Sequence, residues 1–368
     1  MSDGSDSGDG HAGRDVRAAQ PSLDGVDCDG PVVVKIGGAR TVDPAGTVAD
    51  VAALVEAGVE VVVVHGGSTA VDETLRELGE EPTYVTTPGG VSGRFTDERT
   101  MEVFEMVLPG KLNTDLTATL RGAGVDALGL SGVDGGLLTG PRKSAVRVVE
   151  GGRKKIKRGD HSGKITGVND DLLSTLLAGG YTPVVTVPML ADDGVPVNAD
   201  ADRAAAAVAG ALDATLVVLT DVEGVYADPE DSDTLVESAE TPADLDALRD
   251  AAEGFMTKKV MAATEALSGG ADEVVVADAN ADSPVLAALS GGGTHVSASV
   301  LEAEDAGENV EAEDGGTNPE DEGENSDAED EGENVESEGE GENLEAEDEG
   351  ESGGVASRDA VADGGEDA

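Results

Sequence analysis

The sequence predicts an α/β fold: a three-layer α/β/α sandwich built on a mainly parallel central sheet. Two observations carry that expectation. Uninterrupted apolar runs recur at Pro31–Lys35, Val59–Val64, Thr182–Val187, Thr215–Leu219 and Glu273–Ala277, as strands buried on both faces require. Each run is followed by glycine or aspartate and then by a segment of helical spacing. That alternation builds a parallel sheet covered by helices on both sides.

Taken in order, residues 1–30 are rich in Gly, Asp and Ser and are expected to form a disordered N-terminal extension. The first strand ends in Lys35-Ile36-Gly37-Gly38 and leads to a helix over Val48–Ala57. The second ends in Val64-His65-Gly66-Gly67-Ser68 and leads to Thr69–Leu78. Further helices are expected at Thr100–Val107, Asp170–Leu177, Arg203–Leu212 and Lys259–Leu267. From about 133 to 165 the rhythm breaks into short alternating segments, Ala145–Glu150 and Lys154–Lys157, with Gly-Gly turns. These are expected to be antiparallel hairpins inserted on one rim. The seam between an N-terminal lobe (31–180) and a C-terminal lobe (181–297) is placed near residue 180. Residues 298–368 repeat Glu, Gly and Asn loosely. They hold too few apolar groups to offset the entropy of ordering, and are expected to be a solvated acidic tail.

The 368 residues carry a formal net charge of −55. Residues 301–368 hold 29 of the 78 acidic side chains and one basic residue, Arg358, leaving −27 for residues 1–300. Acid on both body and tail reads as solubility in a high-salt cytoplasm, where the Debye length is roughly 3 Å at 1 M. The same charge repels a phosphate backbone, which disfavours nucleic acid as a partner. Cys28 is the single cysteine, with no partner for an internal disulfide and no metal-ligand spacing around it. The N-terminal segment lacks the apolar stretch of a signal peptide. No run approaches the ~18 apolar residues of a membrane span. A soluble, cytoplasmic protein is expected.

Candidate chemistry is concentrated where the few lysines sit. Lys35 stands beside Gly37 and Gly38 at a strand end, Lys258 and Lys259 form a pair, and Arg153, Lys154, Lys155, Lys157, Arg158 and Lys164 crowd together. Ligands of open parallel sheets bind outside the carboxyl ends of the strands. Paired glycines there let backbone N–H groups approach a phosphate. Gly159-Asp160-His161-Ser162-Gly163-Lys164 is one residue short of a Walker loop and lacks the following Ser/Thr; no Rossmann fingerprint is present either. Asp200 and Asp202, in Val197-Asn198-Ala199-Asp200-Ala201-Asp202-Arg203, suit a site or a helix N-cap equally. Thr220, Asp221 and Tyr226 lie in a polar, glycine-containing loop after a strand, able to take a base and ribose. Arg94 suits a bidentate carboxylate grip or a structural pair with Asp97. His65 is expected to be structural, and His11, His161 and His295 form no cluster.

The order KIGG, VHGGS, GRFTD, FEMVLPGKLN, GLSGVDG, VNADAD, LTDVEGVY and GFMTKKVMAA resembles the amino acid kinase family, from about residue 31 to 297. It is similar to the N-acetylglutamate kinase branch. In GLSGVDG, PRKSAV and KRGDHSGKI it is more similar to kinases, of halophilic archaeal type, whose glutamate or 2-aminoadipate is held by its amino group on the small acidic carrier protein LysW. The resemblance implies the amino acid kinase fold and phosphorylation of a side-chain carboxylate by ATP with Mg2+, in arginine or lysine biosynthesis, by a homodimer. It implies that Lys35 and Lys259 stabilise the phosphoryl group in flight and that Asp202 orients them. It also implies that Gly66, Gly67, Arg94 and Asn198 meet the acyl substrate, and Gly37, Gly38, Thr220, Asp221 and Tyr226 the nucleotide. Asp200, where some relatives have asparagine, and Phe255 depart from the family pattern. The basic stretch Arg153–Lys164 is then a dock for the acidic carrier, against the alternative of a solvated hairpin face. N-acetylglutamate kinase activity and a non-catalytic amino-acid or nucleotide sensor are the competing expectations.

Overall fold

A computed structural model describes residues 23, 25–26, 30–37, 44–88, 92–252 and 255–301. Most of the expected N-terminal extension, Gly38, and the tail from residue 302 lie outside the described residues. The chain runs β1 (Val32–Ile36), α1 (Pro44–Glu56), β2 (Val61–His65), α2 (Ser68–Glu77), β3 (Tyr84–Thr86), β4 (Ser92–Arg94) and α3 (Glu98–Glu105). A π-helical stretch, Met106–Leu112, joins α3 to α4 (Asn113–Gly122). Then come β5 (Ala127–Gly132), β6 (Leu138–Gly140), β7 (Arg142–Glu150), β8 (Arg153–Gly163), β9 (Gly167–Val168), α5 (Asp170–Ala178), β10 (Thr182–Ala191) and β11 (Pro196–Val197). The remainder is α6 (Ala201–Ala211), β12 (Thr215–Thr220), β13 (Ser238–Ala239), α7 (Pro242–Ala251), α8 (Phe255–Ser268), β14 (Glu273–Asp278), α9 (Pro284–Leu289) and β15 (Thr294–Ser297).

The main sheet has the order β13-β15-β14-β12-β1-β2-β10-β6-β9, with β5 and β11 also paired to β10. Its central pairings are parallel: β12 with β14, β1 with β12 and β2, and β10 with β2 and β5. The expected three layers are present. Alternate residues of each central strand enter different cores, because side chains point to opposite faces with a period of two. Val33, Val62, Val64, Val185, Leu216, Val218 and Val274 pack on one face with α2, α3, α5, α6 and α8. Val32, Val34, Val61, Val63, Val184, Val217 and Val275 pack on the other with α1, α4 and α9.

Three expectations are revised. Contacts group the described body as one unit with no division near residue 180. β10 follows residue 180 in sequence yet pairs with β2 and β5, so the junction between the two halves of the sheet runs between β1 and β12. The helix expected to end near Val107 continues through Pro109 and Gly110, since a wider turn tolerates the missing proline N–H. The tail does not begin at 298: Ala298–Leu301 forms a helical turn, Val300 is buried, and Ser299 Oγ donates to the Glu240 carbonyl at 2.7 Å.

The interrupted interval holds one long hairpin, β7–β8, forming its own two-stranded sheet. Its turn residues Gly151 and Gly152 have φ of 57° and 75°, as a two-residue turn matched to strand twist demands. Among the described residues no helix is long and apolar enough to cross a membrane.

Candidate active site

Lys35 is the fourth residue of β1 and shares its face with Val33, so its side chain rises on the α6 side of the sheet. There it forms a close ion pair with Asp202 Oδ1. Lys259 Nζ, from the first turns of α8, lies 3.9 Å from the same oxygen. The three side chains are only 6%, 13% and 18% exposed. Local sequence explains why Asp202 is available. Asp200 is the N-cap of α6, accepting from the backbone N–H groups of Asp202 and Arg203 at 3.0 and 3.2 Å, so the second aspartate is left to face the lysines. The Arg203–Glu265 ion pair at 2.9 Å ties α6 to α8. Gly210 lies so close to Gly269 that a Cβ would stand 2.9 Å from its backbone.

Burial pushes the Asp202 carboxyl up, but the charges of Lys35 and Lys259, a hydrogen bond from Lys35 and the charge of Lys258 outweigh it and hold the group below the usual carboxylate range. Burial, followed by the neighbouring Lys35 charge, lowers Lys259 against the opposing pull of Asp202, Asp221 and Asp200. The result is a desolvated cluster of two cations and one anion at the carboxyl ends of β1 and β12. Such a cluster has one positive charge in excess and is suited to a migrating anionic group.

The glycines beside it are closely packed. A Cβ on Gly67 would stand 2.3 Å from Leu112 Cδ1 and 2.6 Å from Leu108 Cδ2 in the π-helical stretch. One on Gly66 would stand 3.3 Å from the Ala201 Cβ at the start of α6, and one on Gly37 3.4 Å from the Leu219 carbonyl. Thr220 is buried at the end of β12, and its Oγ1 donates to Asp221 Oδ1 at 3.1 Å. Tyr226 donates to Glu223 Oε2 at 3.3 Å.

Arg94 is paired with Asp72 of α2, not with Asp97. Asp97 instead caps α3, accepting from the Thr100 N–H at 2.8 Å. Arg94 Nη2 donates to the Ser68 carbonyl at 2.9 Å and to the Tyr84 hydroxyl at 3.2 Å. Its guanidinium lies 5.3 Å and 5.4 Å from the ring centroids of Tyr84 and Phe104. Among the described residues these contacts engage three of its five N–H groups. Nothing in the sequence pointed to Asp72 or Tyr84, since the contact spans 22 positions.

Asn198 stitches three segments together. Its Nδ2 donates to Thr96 Oγ1 at 3.1 Å, its N–H donates to the His161 carbonyl at 2.8 Å, and its carbonyl accepts from the Gly163 N–H at 2.8 Å. The base of the hairpin thus joins the loop before α6. Arg153, Lys154, Lys155, Lys157 and Arg158 lie on β8, and Lys164 follows its end. Cross-strand pairs Ala145–Arg158, Arg147–Ile156 and Val149–Lys154 share one face. On that face Ile156 is 66% exposed. On the opposite face Val148 is buried, and Lys157 Nζ sits 3.9 Å from the Phe95 ring centroid.

The family model for amino acid kinases matches residues 30–278. The chain is 44% identical over 268 residues to the LysW-aminoadipate kinase of Deinococcus radiodurans, covering 72% of this chain and 91% of that one. It is 40% identical over 247 residues to the acetylglutamate kinase of Methanopyrus kandleri, covering 66% and 93%. Among solved structures, it is similar to N-acetylglutamate synthase from Neisseria gonorrhoeae, complexed with coenzyme A and N-acetyl-glutamate. The TM-score is 0.59 at 25% identity, over 73% of this chain and 59% of that one. The chain belongs to the amino acid kinase family, and it is a kinase.

Proposed function

We propose that the chain transfers the γ-phosphoryl group of ATP to the side-chain carboxylate of glutamate or 2-aminoadipate held by its amino group on a LysW-type carrier, giving an acyl phosphate. The observation that carries this reading is the Lys35–Asp202–Lys259 cluster. Lys35 comes from β1 and Lys259 from α8, so one charged centre is assembled from both halves of the chain. A carboxylate nucleophile is already ionised at neutral pH, and the reaction needs placement and charge stabilisation more than a base. Its oxygen forms the new bond to phosphorus as the bond to the β–γ bridging oxygen breaks and ADP departs. Lys35 and Lys259 offset the charge on the equatorial oxygens, while Asp202 keeps the two ammonium groups from repelling one another.

Magnesium bound to ATP would add further charge neutralisation. Among the described residues no three His, Cys, Asp or Glu side chains gather to hold a metal ion, so phosphate oxygens and water would supply most of its ligands. Asp200 and Asp221, both near enough to act on Lys259, are the carboxylates at hand for those waters. Gly66, Gly67, Arg94 and Asn198 are assigned to the acyl substrate, and Gly37, Gly38, Thr220, Asp221 and Tyr226 to the nucleotide.

The hairpin supports a carrier-bound substrate. Arg147, Lys154 and Arg158 flank exposed Ile156 on one face of a body that is otherwise strongly acidic, and such a face suits an acidic protein carrying the substrate. Cytoplasmic operation at high salt and a homodimer complete the proposal. The test offers ATP with carrier-glutamate, carrier-aminoadipate and acetylglutamate in turn, with hydroxylamine trapping the acyl phosphate. Hydroxamate from a carrier-bound substrate is expected. Product from acetylglutamate alone replaces the substrate assignment, and none from any of the three leaves the sensor reading.

A further inference from the structure

The turn Val64-His65-Gly66-Gly67 borders the candidate site, but His65 itself faces away from it. Along β2, Val62 and Val64 share the lysine face of the sheet, whereas Val61 and Val63 pack on the opposite core. His65 continues the second set, toward α4. There its ring is buried and held at both nitrogens. Nδ1 lies 2.9 Å from the Gly66 carbonyl oxygen and Nε2 lies 3.1 Å from Asn113 Nδ2. The same Asn113 nitrogen lies 2.8 Å from the Val184 carbonyl of β10.

We propose that Asn113 and His65 form a positioning relay that fixes the Gly66–Gly67 peptide unit, and with it the N–H that this turn offers to the reacting groups. The relay deepens the kinase reading and rests on it. The hydrogen-bond inventory leaves one assignment. Gly66 O and Val184 O are carbonyls and only accept, so Nδ1 of His65 carries a proton and Asn113 presents its NH2. The second NH2 hydrogen then reaches Nε2, which must be the bare, accepting nitrogen. His65 is a neutral Nδ1–H imidazole, locked by an amide whose reversal would turn its oxygen against the Val184 carbonyl oxygen. Burial independently lowers the proton affinity of the ring, opposed by the Gly66 contact.

The peptide unit is planar and trans. Holding the Gly66 carbonyl toward His65 therefore turns the Gly67 N–H to the opposite edge. The pair of glycines is free to rotate in sequence terms, and the relay removes that freedom from the face the ligand does not occupy. Two motifs otherwise unexplained acquire a role. Asn113 closes FEMVLPGKLN, and Gly129 in GLSGVDG is the residue whose Cβ would lie 2.1 Å from Asn113 Oδ1. Thr186 Oγ1, donating to the His65 carbonyl at 3.1 Å, anchors the same turn to β10.

The test uses uniformly 15N-labelled full-length protein and long-range proton–nitrogen correlations of its imidazole rings, with His65 assigned by its loss in His65→Gln. At about pH 7 a single neutral Nδ1–H tautomer is expected; an Nε2–H ring, a tautomer mixture or an imidazolium overturns the relay. Kinetics supply the second readout. His65→Leu removes both ring nitrogens and should lower kcat ~10-fold to ~100-fold, with KM for ATP within about threefold. His65→Gln, whose amide can donate to Gly66 and accept from Asn113, should recover most of that loss. Unchanged kcat in His65→Leu, or equal loss in both variants, defeats the proposal. If the unmodified protein forms no acyl phosphate, the kinase reading fails on its own account, while the ring spectra still decide the relay.

Discussion

Asp202 offers one carboxylate oxygen to two ammonium groups, and that sharing governs what each lysine contributes. Removing either cation leaves an anion with a single partner and, on the proposed mechanism, deprives the phosphoryl group of half the charge these lysines bring. Lys35→Ala and Lys259→Ala are each expected to reduce kcat by roughly 10²-fold or more, about 3 kcal/mol, by comparison with loss of an oxyanion donor; steady-state turnover of the purified variants checks it. Lys259 also sets a pH limit. Burial and the Lys35 charge lower its proton affinity below the ordinary lysine value of 10.5, so the charged, active form is lost sooner as pH rises. An alkaline limb in kcat is expected below that value. Lys259→Arg should move the limb upward, because guanidinium stays protonated; a limb at the same pH in both proteins would assign it elsewhere. These lysines were legible because each stands next to an unusual local pattern. Asp72, Tyr84 and Asn113 were not, since their partners lie 22, 10 and 48 positions away and one aspartate among 78 acidic residues carries no signal of its own.

Strands were the most readable elements, because a run such as Val61–His65 that is buried on both faces cannot alternate with polar residues. Sheet order was less readable. β10 inserts beside β2 through a parallel crossover, and hydrophobic runs do not encode which neighbour they choose. The sequence offers the glycine turns as phosphate and substrate contacts, and Gly67 has in addition a packing reason in Leu108 and Leu112. Gly67→Ala is expected to destabilise the protein by about 1–3 kcal/mol through overpacking, seen as a lower melting temperature even without ligand. An unchanged melting temperature would mean those leucines yield. The hairpin makes a separable prediction. Reversing Lys154 and Arg158 to glutamate touches only its outward face. It should raise KM for the carrier-bound substrate about tenfold or more and leave ATP binding unaltered. Equal loss of both would mean the strand, rather than its charge, had been damaged.

At the scale of the whole molecule, a net charge of −55 sets the chain against itself at low ionic strength. Screening relieves that repulsion, so the melting temperature is expected to rise from about 0.15 M to about 2 M KCl; a fall would contradict the reading of the acid as a salt adaptation. The same screening shortens any attraction between hairpin and carrier to roughly 3 Å at 1 M. On the proposed reading, recognition would then depend on direct contact, to which exposed Ile156 would add an apolar surface that salt does not weaken. The central place of β1 has a consequence for synthesis. Val32 to Lys35 lie against Val61 to Val64 on one side and Thr215 to Val218 on the other. A nascent chain emerging from the ribosome therefore carries its first strand with one edge open until the twelfth has been made. Throughout that interval a ribbon of three valines, a lysine and an isoleucine is available to strangers, and the negative charge of the growing polypeptide opposes the approach of neighbouring copies.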